Sequence, residues 1–263
     1  MTQELRPVTV ISGASSGIGA ALAHVFSAHG HEVVLVARRE QALNAVAESV
    51  AAKGRPRPTV LRLDVARVDA AGDIAEALAR RSLEPEIIVN NAGFGLLGTA
   101  DKLDRAAQLA MIDVNVRALT ELSLAFVESL ARRKGGILNV ASTAGFLPGP
   151  GMAVYYASKA YVVSFSQALH EELKPRGVRV TALCPGPVPT EFQARAGMAR
   201  DFFPAFLVRS AEAVAEDAYR GLKRGRALVI PGLPNKLVPA LAGILPQPIL
   251  ASLMRSILRG RTT

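Results

Sequence analysis

Short apolar runs rich in β-branched residues recur along the chain, and each is bounded by glycine, proline or polar residues. Runs of this length and composition are typical of strands that are buried on both faces of a parallel sheet. The segments with this pattern are VTVISGA (8–14), EVVLVAR (32–38), TVLRLDV (59–65), EIIVNNAG (86–93), GILNVAS (136–142), RVTALCPG (179–186) and ALVIPG (227–232).

Between these runs the apolar positions repeat with a helical period. Residues 18–26 follow the i, i+3, i+4 spacing, and Gly30 is expected to end that helix. Residues 43–51 repeat the pattern before Gly54. Strands that alternate with such helices predict an α/β fold, a doubly wound, Rossmann-like parallel sheet of seven strands with helices on both faces. No segment rich in glycine, serine or proline divides the sequence, so residues 1–263 are expected to form a single domain.

The single cysteine, Cys184, limits the possible chemistry. One thiol excludes an internal disulfide framework and a zinc site built from several thiolates, which indicates a reducing compartment. The N-terminal residues, with Glu4 and Arg6 ahead of the first apolar run, do not have the pattern of a signal peptide. We therefore expect a cytoplasmic protein without a metal site.

The formal net charge of +9 is concentrated at one end of the sequence. No acidic residue follows Asp217, whereas eight lysine and arginine residues do, so the first 217 residues are close to neutral. This asymmetry argues against a nucleic-acid-binding protein. It indicates either a local anionic partner or a solvated tail.

Residues 233–263 are expected to form a basic, apolar C-terminal extension. The stretch 237–254, LVPALAGILPQPILASLM, is uncharged and lies between Lys236 and Arg255. Its three prolines argue against one continuous membrane-spanning helix. Several roles stay open for the extension: peripheral membrane contact through anionic lipid, docking of an acidic carrier protein or a coenzyme A thioester, or packing against the domain or a second subunit.

The first apolar run leads into the segment SGASSGIG, whose glycines have the spacing GxxxGxG. Glycine allows the backbone to turn tightly and to approach a ligand, and the N-terminus of the following helix presents free N–H groups to a pyrophosphate. Because the segment follows the first strand of a βαβ unit, we expect a dinucleotide-binding loop; a strand-to-helix turn without a ligand is the alternative. The candidate contacts are Gly13, Ser15, Ser16, Gly17, Ile18 and Gly19.

The second predicted strand ends in Ala37-Arg38-Arg39. A site that prefers NAD(H) usually has an acidic residue at this point, which holds the ribose 2′-hydroxyl. Two guanidinium groups can instead bind a phosphate bidentately, so Arg38 and Arg39 predict NADP(H) as the cofactor. The alternative is a pair of ordinary surface arginines.

Tyr155 and Lys159 are four residues apart in a segment expected to be helical, so their side chains should lie on the same face. Tyr156 aligns instead with Ala160 and is expected to be a packing or pocket-wall residue. An ammonium about 4 Å from a phenol, at an effective dielectric constant near 20, is worth about 4 kcal/mol, enough to lower a pKa by roughly 2–3 units. Lys159 would thus make Tyr155 a general acid/base near neutral pH. Ser142, just beyond the fifth predicted strand, could align a substrate carbonyl.

Together these residues resemble the short-chain dehydrogenase/reductase family. The resemblance spans about residues 8–190, in the family's order and approximate spacing. The matching segments are SGASSGIG, LDV at 63–65, NNAG at 90–93, Asn115 within DVNV, Ser142 within VASTAG, YYASK at 155–159 and PGPVPT at 185–190. No catalytic position of the family is missing, and Ser12 stands where the family often has threonine.

The resemblance implies an NADP-dependent oxidoreductase that interconverts a carbonyl and an alcohol by hydride transfer, with Tyr155 as the proton donor. Lys159 would lower the pKa of that phenol and hold the nicotinamide ribose, and Ser142 would orient the substrate oxygen. Asn115 would kink its helix and hold a water that links Lys159 to solvent. Further cofactor contacts are implied for Asp64 and Val65 at the adenine, for Asn91, Ala92 and Gly93 in the cleft, and for Pro185, Gly186, Val188 and Thr190 near the nicotinamide amide.

The resemblance implies that the segment 187–212, which follows PGPVPT, closes the substrate pocket as a lid. Its phenylalanines at 192, 202, 203 and 206 suggest an apolar pocket and thus a hydrophobic carbonyl substrate, with packing on the core as the alternative. A 3-oxoacyl thioester reductase is one possible specialisation, and a non-catalytic dinucleotide-sensing or scaffold protein is an alternative from another class. The resemblance also implies a homodimer or a homotetramer, because the helices around Asn115 and Tyr155 have the length that family members use for such interfaces.

Overall fold

The computed structural model describes residues 5–199 and 203–259. Within them, seven strands form one parallel sheet, as the sequence pattern predicts. The strands are β1 (Arg6–Ser12), β2 (Glu32–Ala37), β3 (Thr59–Arg62), β4 (Leu83–Asn90), β5 (Gly136–Val140), β6 (Arg179–Leu183) and β7 (Leu228–Val229). Their order across the sheet is β3-β2-β1-β4-β5-β6-β7.

Helices cover both faces of this sheet. They are α1 (Gly17–Ala28), α2 (Glu40–Ala51), α3 (Ala70–Ala79), α4 (Arg105–Ile112), α5 (Leu119–Ala125), α6 (Val127–Arg133), α7 (Ala153–Leu173), α8 (Glu191–Ala196), α9 (Ala211–Lys223), α10 (Leu233–Ile244) and α11 (Gln247–Arg259). Gly30 and Gly54 follow α1 and α2 with φ of 83° and 71°, and thus lie where the sequence predicts the helices to end.

Alternate residues of each strand face opposite sides of the sheet. In β2, Val33 and Leu35 belong to one core cluster, whereas Val34 and Val36 belong to the cluster on the other face. All four side chains are at most 2% exposed. The first cluster is covered by α1, α2 and α9 and the second by α3, α5 and α7, which explains why the strands are continuously apolar.

Each strand ends somewhat before its predicted run does; β3, for example, ends at Arg62. The remaining residues of the runs leave the hydrogen-bonded ladder and form loops at the carboxyl edge of the sheet. β1 and β4 are neighbours at the centre, and the chain order proceeds outward from them in opposite directions. Ligands of doubly wound sheets bind in the crevice at such a switch point.

The C-terminal stretch forms two helices, which confirms that residues 237–254 are not one continuous helix. The break lies at Leu245 and Pro246, between α10 and α11. Pro239 does not end a helix and is accommodated within α10. In the part of the chain that the structure describes, no helix has both the length and the apolar character that a membrane span requires.

Candidate active site

A glycine-rich loop joins β1 to α1 at the switch point. Gly13 and Gly17 have φ of 65° and 57°, in the left-handed region that glycine adopts readily. A Cβ at Gly13 would lie 2.7 Å from the Cα of Ala92, and a Cβ at Gly19 would lie 2.4 Å from Nδ2 of Asn91. The loop therefore packs so closely on the end of β4 that these positions admit no side chain.

Asn91 fixes the loop to the end of β4. Its Nδ2 donates to the carbonyl oxygens of Ser12 at 3.1 Å and Gly13 at 3.0 Å. The hydroxyl oxygen of Ser12 accepts from the backbone N–H groups of Asn91 and Ala92 at 3.1 and 3.2 Å. The Asn91 amide group thus donates to acceptors within the protein, and this side chain fixes the conformation of the glycine loop.

The N-terminus of α1 is suited to bind an anion. Its N-cap residue, Ser16, makes no side-chain capping hydrogen bond, and the first turn contains no acidic side chain. The first N–H groups of a helix have no intrahelical acceptor, and the helix dipole favours negative charge there. Because α1 begins directly at the turn of Gly17, the loop and the helix together fit a pyrophosphate.

Arg39 belongs to an ion cluster that connects this loop with α8. Its Nη2 donates to Oε2 of Glu191 at 2.8 Å and to the hydroxyl oxygens of Ser15 and Ser16 at 3.1 Å each. Glu191 also accepts from the Ser16 hydroxyl at 3.2 Å and from Nη2 of Arg195 at 2.6 Å. The hydrogen bond from Arg39 holds the pKa of Glu191 below its usual value. Arg39, a predicted phosphate-binding residue, thus already has an anionic partner at hydrogen-bond distance.

Arg38 is more exposed to solvent than Arg39. Its Nη1 lies 3.8 Å from Oδ2 of Asp64, and 73% of its side chain is exposed. Asp64 also accepts from the backbone N–H of Ala66 at 3.0 Å. The neighbouring Val65 is 6% exposed and packs in the second core cluster. The two arginines and Asp64 therefore lie beside the glycine loop, at the ends of β2 and β3.

Tyr155 and Lys159 share one face of α7, as their spacing predicts. Nζ of Lys159 lies 5.9 Å from the centre of the Tyr155 ring and donates to the carbonyl oxygen of Val140 at 2.8 Å. Ser142, which follows β5, lies close enough to Tyr155 to lower the pKa of its phenol. The Ser142 hydroxyl oxygen also accepts from the N–H of Ala144 at 3.1 Å. The predicted catalytic tyrosine, lysine and serine thus lie together.

Burial controls the ionisation of these side chains. It raises the pKa of the Tyr155 phenol well above its usual value, and the interaction with Ser142 offsets this only in part. Burial also lowers the pKa of Lys159 to about 8, with Cys184 acting in the opposite direction. The net shift of the Tyr155 pKa is therefore upward in the protein alone, opposite in direction to the lowering that the sequence predicts from Lys159. The Lys159 ammonium donates to the carbonyl oxygen of Val140, and desolvation of the phenol outweighs the effect of Ser142.

Asn115 lies in a π-helical turn, residues 113–118, between α4 and α5. Its side chain is fully buried, and its Nδ2 donates to the carbonyl oxygen of Phe94 and to Oγ of Ser158, both at 3.0 Å. Its Oδ1 accepts from the N–H of Phe94 at 3.1 Å and lies against Gly93, where a Cβ would be 3.1 Å away. Single π-helical turns recur at functional sites, and this one agrees with the expected interruption of the helix.

The loop after β6, residues 185–190, approaches the glycine loop. Thr190 caps α8: its Oγ1 accepts from the N–H of Phe192 at 3.3 Å, and its own N–H donates to Oε1 of Gln193 at 3.1 Å. A Cβ at Gly17 would lie 3.0 Å from the methyl carbon of Thr190. The predicted nicotinamide-contacting loop and the predicted phosphate loop are therefore in contact.

Gly186, in the same loop, packs against α10. A Cβ at Gly186 would lie 2.3 Å from Oδ1 of Asn235, which is 1% exposed. The Asn235 amide donates to the carbonyl oxygens of Leu207 at 3.2 Å and Pro231 at 3.0 Å. The C-terminal extension thus packs against its own domain, beside the site, through one face of α10.

An apolar cluster surrounds Tyr155. Its ring centre lies 5.3 Å from that of Phe192 and 6.0 Å from that of Tyr156. Phe203 and, from α11, Met254 also pack in this cluster. The other members are Leu97, Ala144, Leu147, Met152, Ala196 and Met198. The protein around the phenol is therefore formed mainly by hydrocarbon and thioether groups.

The four phenylalanines of the predicted lid have different positions. Phe192 and Phe203 pack in the cluster with Tyr155. Phe206 is 70% exposed, and Phe202 lies outside the described residues. Tyr156 is 8% exposed and packs as the sequence predicts.

Three predicted cofactor residues have structural contacts of their own. Ile18 packs against the first core cluster, and Val188 is 8% exposed within it. The carbonyl oxygen of Pro185 accepts from the N–H of Thr143 at 3.0 Å. These contacts help to hold the backbone of the site.

Residues 7–201, most of the chain, match the short chain dehydrogenase family. The chain belongs to the short-chain dehydrogenase family. It is an oxidoreductase that acts on an alcohol or carbonyl group and uses a nicotinamide dinucleotide.

Several family members are similar over most of their length. Sulfoacetaldehyde reductase of Chromohalobacter salexigens is 40% identical over 185 residues, which cover 69% of this chain and 72% of that protein. The structure of a short-chain dehydrogenase from Sphingobium yanoikuyae in complex with NADPH has a TM-score of 0.78 and 31% identity, covering 92% of this chain and 97% of the other. The bulky-bulky ketone specific alcohol dehydrogenase from Comamonas testosteroni has a TM-score of 0.74 and 29% identity, covering 93% and 96%.

Two residues beside this short-chain dehydrogenase site are missed by the sequence argument. Glu191 directly follows Thr190 of the motif, but no local pattern connects it to Arg39, which is 152 positions away. Asn235 is 1% exposed, and because the exposed Lys236 directly follows it, the local sequence does not distinguish it from an ordinary surface residue.

Proposed function

We propose that the protein is an NADP(H)-dependent reductase of hydrophobic ketones or aldehydes. The observation that carries this proposal is the position of the Tyr155 phenol, whose ring centre is 5.9 Å from Nζ of the buried Lys159 and which is close to Ser142 and surrounded by apolar side chains. When bound, the dinucleotide supplies the hydride that reduces the carbonyl carbon.

The chain's own residues account for the proton and the orientation of the substrate. Tyr155 donates its hydroxyl proton to the carbonyl oxygen, and the raised pKa keeps the phenol protonated at neutral pH, which is the state that reduction requires. Ser142 provides a second hydrogen bond to the same oxygen. Lys159, whose pKa is about 8, is mostly charged at neutral pH and stabilises the phenolate that the proton leaves behind.

The preference for NADP(H) is supported by the end of β2. The last residue of β2 is Ala37, where an NAD-preferring site usually has a carboxylate that accepts from the ribose 2′-hydroxyl, and Arg38 and Arg39 follow directly. Arg38 is 73% exposed and 3.8 Å from its only described ionic partner, Asp64, so its guanidinium is accessible to a phosphate. The Sphingobium relative, solved with NADPH, is consistent with this preference.

A hydrophobic substrate is supported by the cluster around Tyr155. The cluster includes the apolar side chains of Met152, Phe192 and Met254, which cannot form an ion pair with a charged substrate. The Comamonas relative, whose name describes specificity for bulky-bulky ketones, has a similar fold over nearly the whole chain. A 3-oxoacyl thioester belongs to the same chemical class and is included in the substrate screen.

Tyr155→Phe tests the function, with Tyr156→Phe as the matched control. In a screen of ketones, aldehydes and a 3-oxoacyl thioester, the wild type is expected to oxidise NADPH. Tyr155→Phe should lower kcat by at least about 100-fold because the proton donor is lost. It should leave the Kd for NADPH, measured by fluorescence titration, nearly unchanged. Tyr156→Phe removes the hydroxyl of a packing residue and should retain most of the activity.

A non-catalytic dinucleotide sensor would give a different result. The wild type would then bind NADPH without oxidising it in the presence of any carbonyl compound of the screen, and Tyr155→Phe would behave like Tyr156→Phe. Either finding contradicts the proposed function.

A further inference from the structure

Helix α10 has one face that packs on the protein and one that is exposed and aliphatic. On the inner face, Asn235 is 1% exposed and contacts Gly186. The outer face contains four large aliphatic side chains that lie within an arc of about 80° around the helix axis. They are Leu233, Leu237, Leu241 and Ile244, which are 77%, 62%, 53% and 80% exposed.

Helix α11 has the same division. Leu250 is 3% exposed, and Met254 packs in the cluster that contains Tyr155. On the outer side, Ile249 and Leu253 are 54% and 51% exposed and lie one helical turn apart. Single exposed aliphatic side chains are ordinary, but six on two consecutive short helices indicate a binding surface.

The positive charge of the C-terminal segment indicates which kind of partner the aliphatic surface binds. No acidic residue follows Asp217 in the sequence, and Lys236 and Arg255 are exposed on α10 and α11. A second copy packed through the same surface about a two-fold axis would bring basic residues together with no carboxylate to pair with them. An anionic lipid surface supplies both an apolar layer for the aliphatic side chains and phosphate groups for the cations.

We propose that the outer faces of α10 and α11 dock the protein on the surface of an anionic membrane. The helices lie on the bilayer, since among the described residues no helix is suited to cross it. Their inner faces contact the loop at Gly186 and the cluster around Tyr155, so docking places the candidate active site directly behind the membrane-facing helices. The proposal concerns this surface and does not depend on which substrate is reduced.

Vesicle sedimentation of the full-length protein tests the proposal. The wild type should pellet with vesicles of phosphatidylcholine that contain about 30% phosphatidylglycerol, and much less with phosphatidylcholine alone. Salt at about 1 M should weaken the binding because it screens the attraction to the anionic headgroups. Leu237→Ser/Ile244→Ser should weaken the partitioning by at least about 10-fold because two aliphatic side chains no longer enter the lipid layer.

Val68→Ser/Leu109→Ser is the matched control, because these side chains are 76% and 55% exposed and lie outside the C-terminal helices. It should pellet like the wild type. Lys236→Glu/Arg255→Glu is a second, independent variant and should also lose binding to the anionic vesicles. Unchanged thermal unfolding of each variant shows that the effect is not caused by misfolding.

Three outcomes would overturn the proposal. One is equal sedimentation of the wild type and both C-terminal variants, and another is equal binding to vesicles with and without the anionic lipid. The third is an oligomer detected by light scattering that the Leu237→Ser/Ile244→Ser change dissociates, in a protein that binds no vesicles. That result would assign the surface to a second copy of the chain.

Discussion

At the scale of single residues, Glu191 and a cofactor phosphate would compete for the guanidinium group of Arg39. Arg39 donates to Glu191 at 2.8 and 3.4 Å, and 42% and 49% of the two side chains are exposed. Exposed ion pairs of this kind are worth about 0–1 kcal/mol, so under the proposed NADP(H) preference Glu191 would lower the affinity of Arg39 for a 2′-phosphate without preventing its binding.

The Glu191→Gln substitution is expected to tighten NADPH binding by roughly 2- to 5-fold, because Arg39 is released from its internal anion. The Kd for NADH should stay unchanged. Arg38→Asp should have the opposite effect and shift the preference toward NADH. Isothermal titration with each dinucleotide measures these constants without turnover.

Glu128→Gln provides the control, since Glu128 forms an exposed ion pair with Arg176 at 2.8 Å. It should change neither Kd. If Glu191→Gln weakens NADPH binding, the ion cluster supports the loop and does not compete for the phosphate. An unchanged preference in Arg38→Asp would refute the assignment of NADP(H).

At the scale of secondary-structure elements, the start of α1 depends on two close contacts of Gly19, one with the Asn91 side chain and one with the backbone of Gly13. Gly19 lies within the helix, where its Cβ would be 2.4 Å from both Nδ2 of Asn91 and the carbonyl oxygen of Gly13. These atoms hold the glycine loop against the end of β4. A side chain at this position must therefore displace the loop that presents the α1 N-terminus.

Gly19→Ala is expected to weaken NADPH binding by at least about 10-fold and to destabilise the protein by about 1–3 kcal/mol because of this overpacking. Gly72→Ala is the matched control in α3, where a Cβ would meet no atom within 4 Å. It should be neutral or stabilising by up to about 1 kcal/mol, since alanine favours a helix. Chemical denaturation and fluorescence titration provide the two measurements. A fully functional Gly19→Ala variant would contradict the close packing.

The elements also show which parts of the site can be predicted from sequence. The Tyr155–Lys159 pair follows from helical spacing alone, because residues four apart lie on one face. Gly13 and Gly17 have positive φ angles, which glycine adopts readily in tight turns, so the glycine spacing correctly predicts a turn here. The pKa of Tyr155 could not be predicted, since it depends on how many apolar groups from α8, α11 and the loops remove water from the phenol.

At the scale of the whole molecule, an ion cluster around the buried Glu84 at the amino-terminal edge of the sheet, away from the site, stabilises the fold. Glu84, near the start of β4, is 8% exposed. It accepts from Arg132 at 2.7 and 3.2 Å and from Arg133 at 2.6 Å. Burial opposes the ionisation of Glu84, but the hydrogen bonds from both arginines outweigh it, and its pKa is lowered.

Glu84→Gln should destabilise the fold by about 1–3 kcal/mol at neutral pH, because a buried acceptor of charged hydrogen bonds is replaced. A lowered folded-state pKa contributes stability that is fully present above the unfolded value of 4.5 and is lost as the pH falls through the folded value. The difference in Tm between wild type and variant should therefore shrink below about pH 4.5.

Glu48→Gln serves as the control because Glu48, 2.9 Å from Arg57, is 68% exposed, and the change should cost at most about 0.5 kcal/mol at any pH. A Tm difference for Glu84→Gln that stays constant or grows on acidification would show that its carboxylate does not stabilise the fold. NADPH binding should be unaffected by either change.

The sequence by itself determined the strands, their parallel order of βα units and the helical face that joins Tyr155 to Lys159. Continuous apolar runs rich in β-branched residues reveal the strands, and the helical period of 3.6 residues reveals the helices and the shared face of Tyr155 and Lys159. The tertiary structure alone decided the partner of Arg39, the contact of Asn235 with Gly186 and the ionisation of the candidate catalytic side chains Tyr155 and Lys159. Each of these depends on groups far apart in sequence and on the removal of water from between them, and neither leaves a local pattern in the chain.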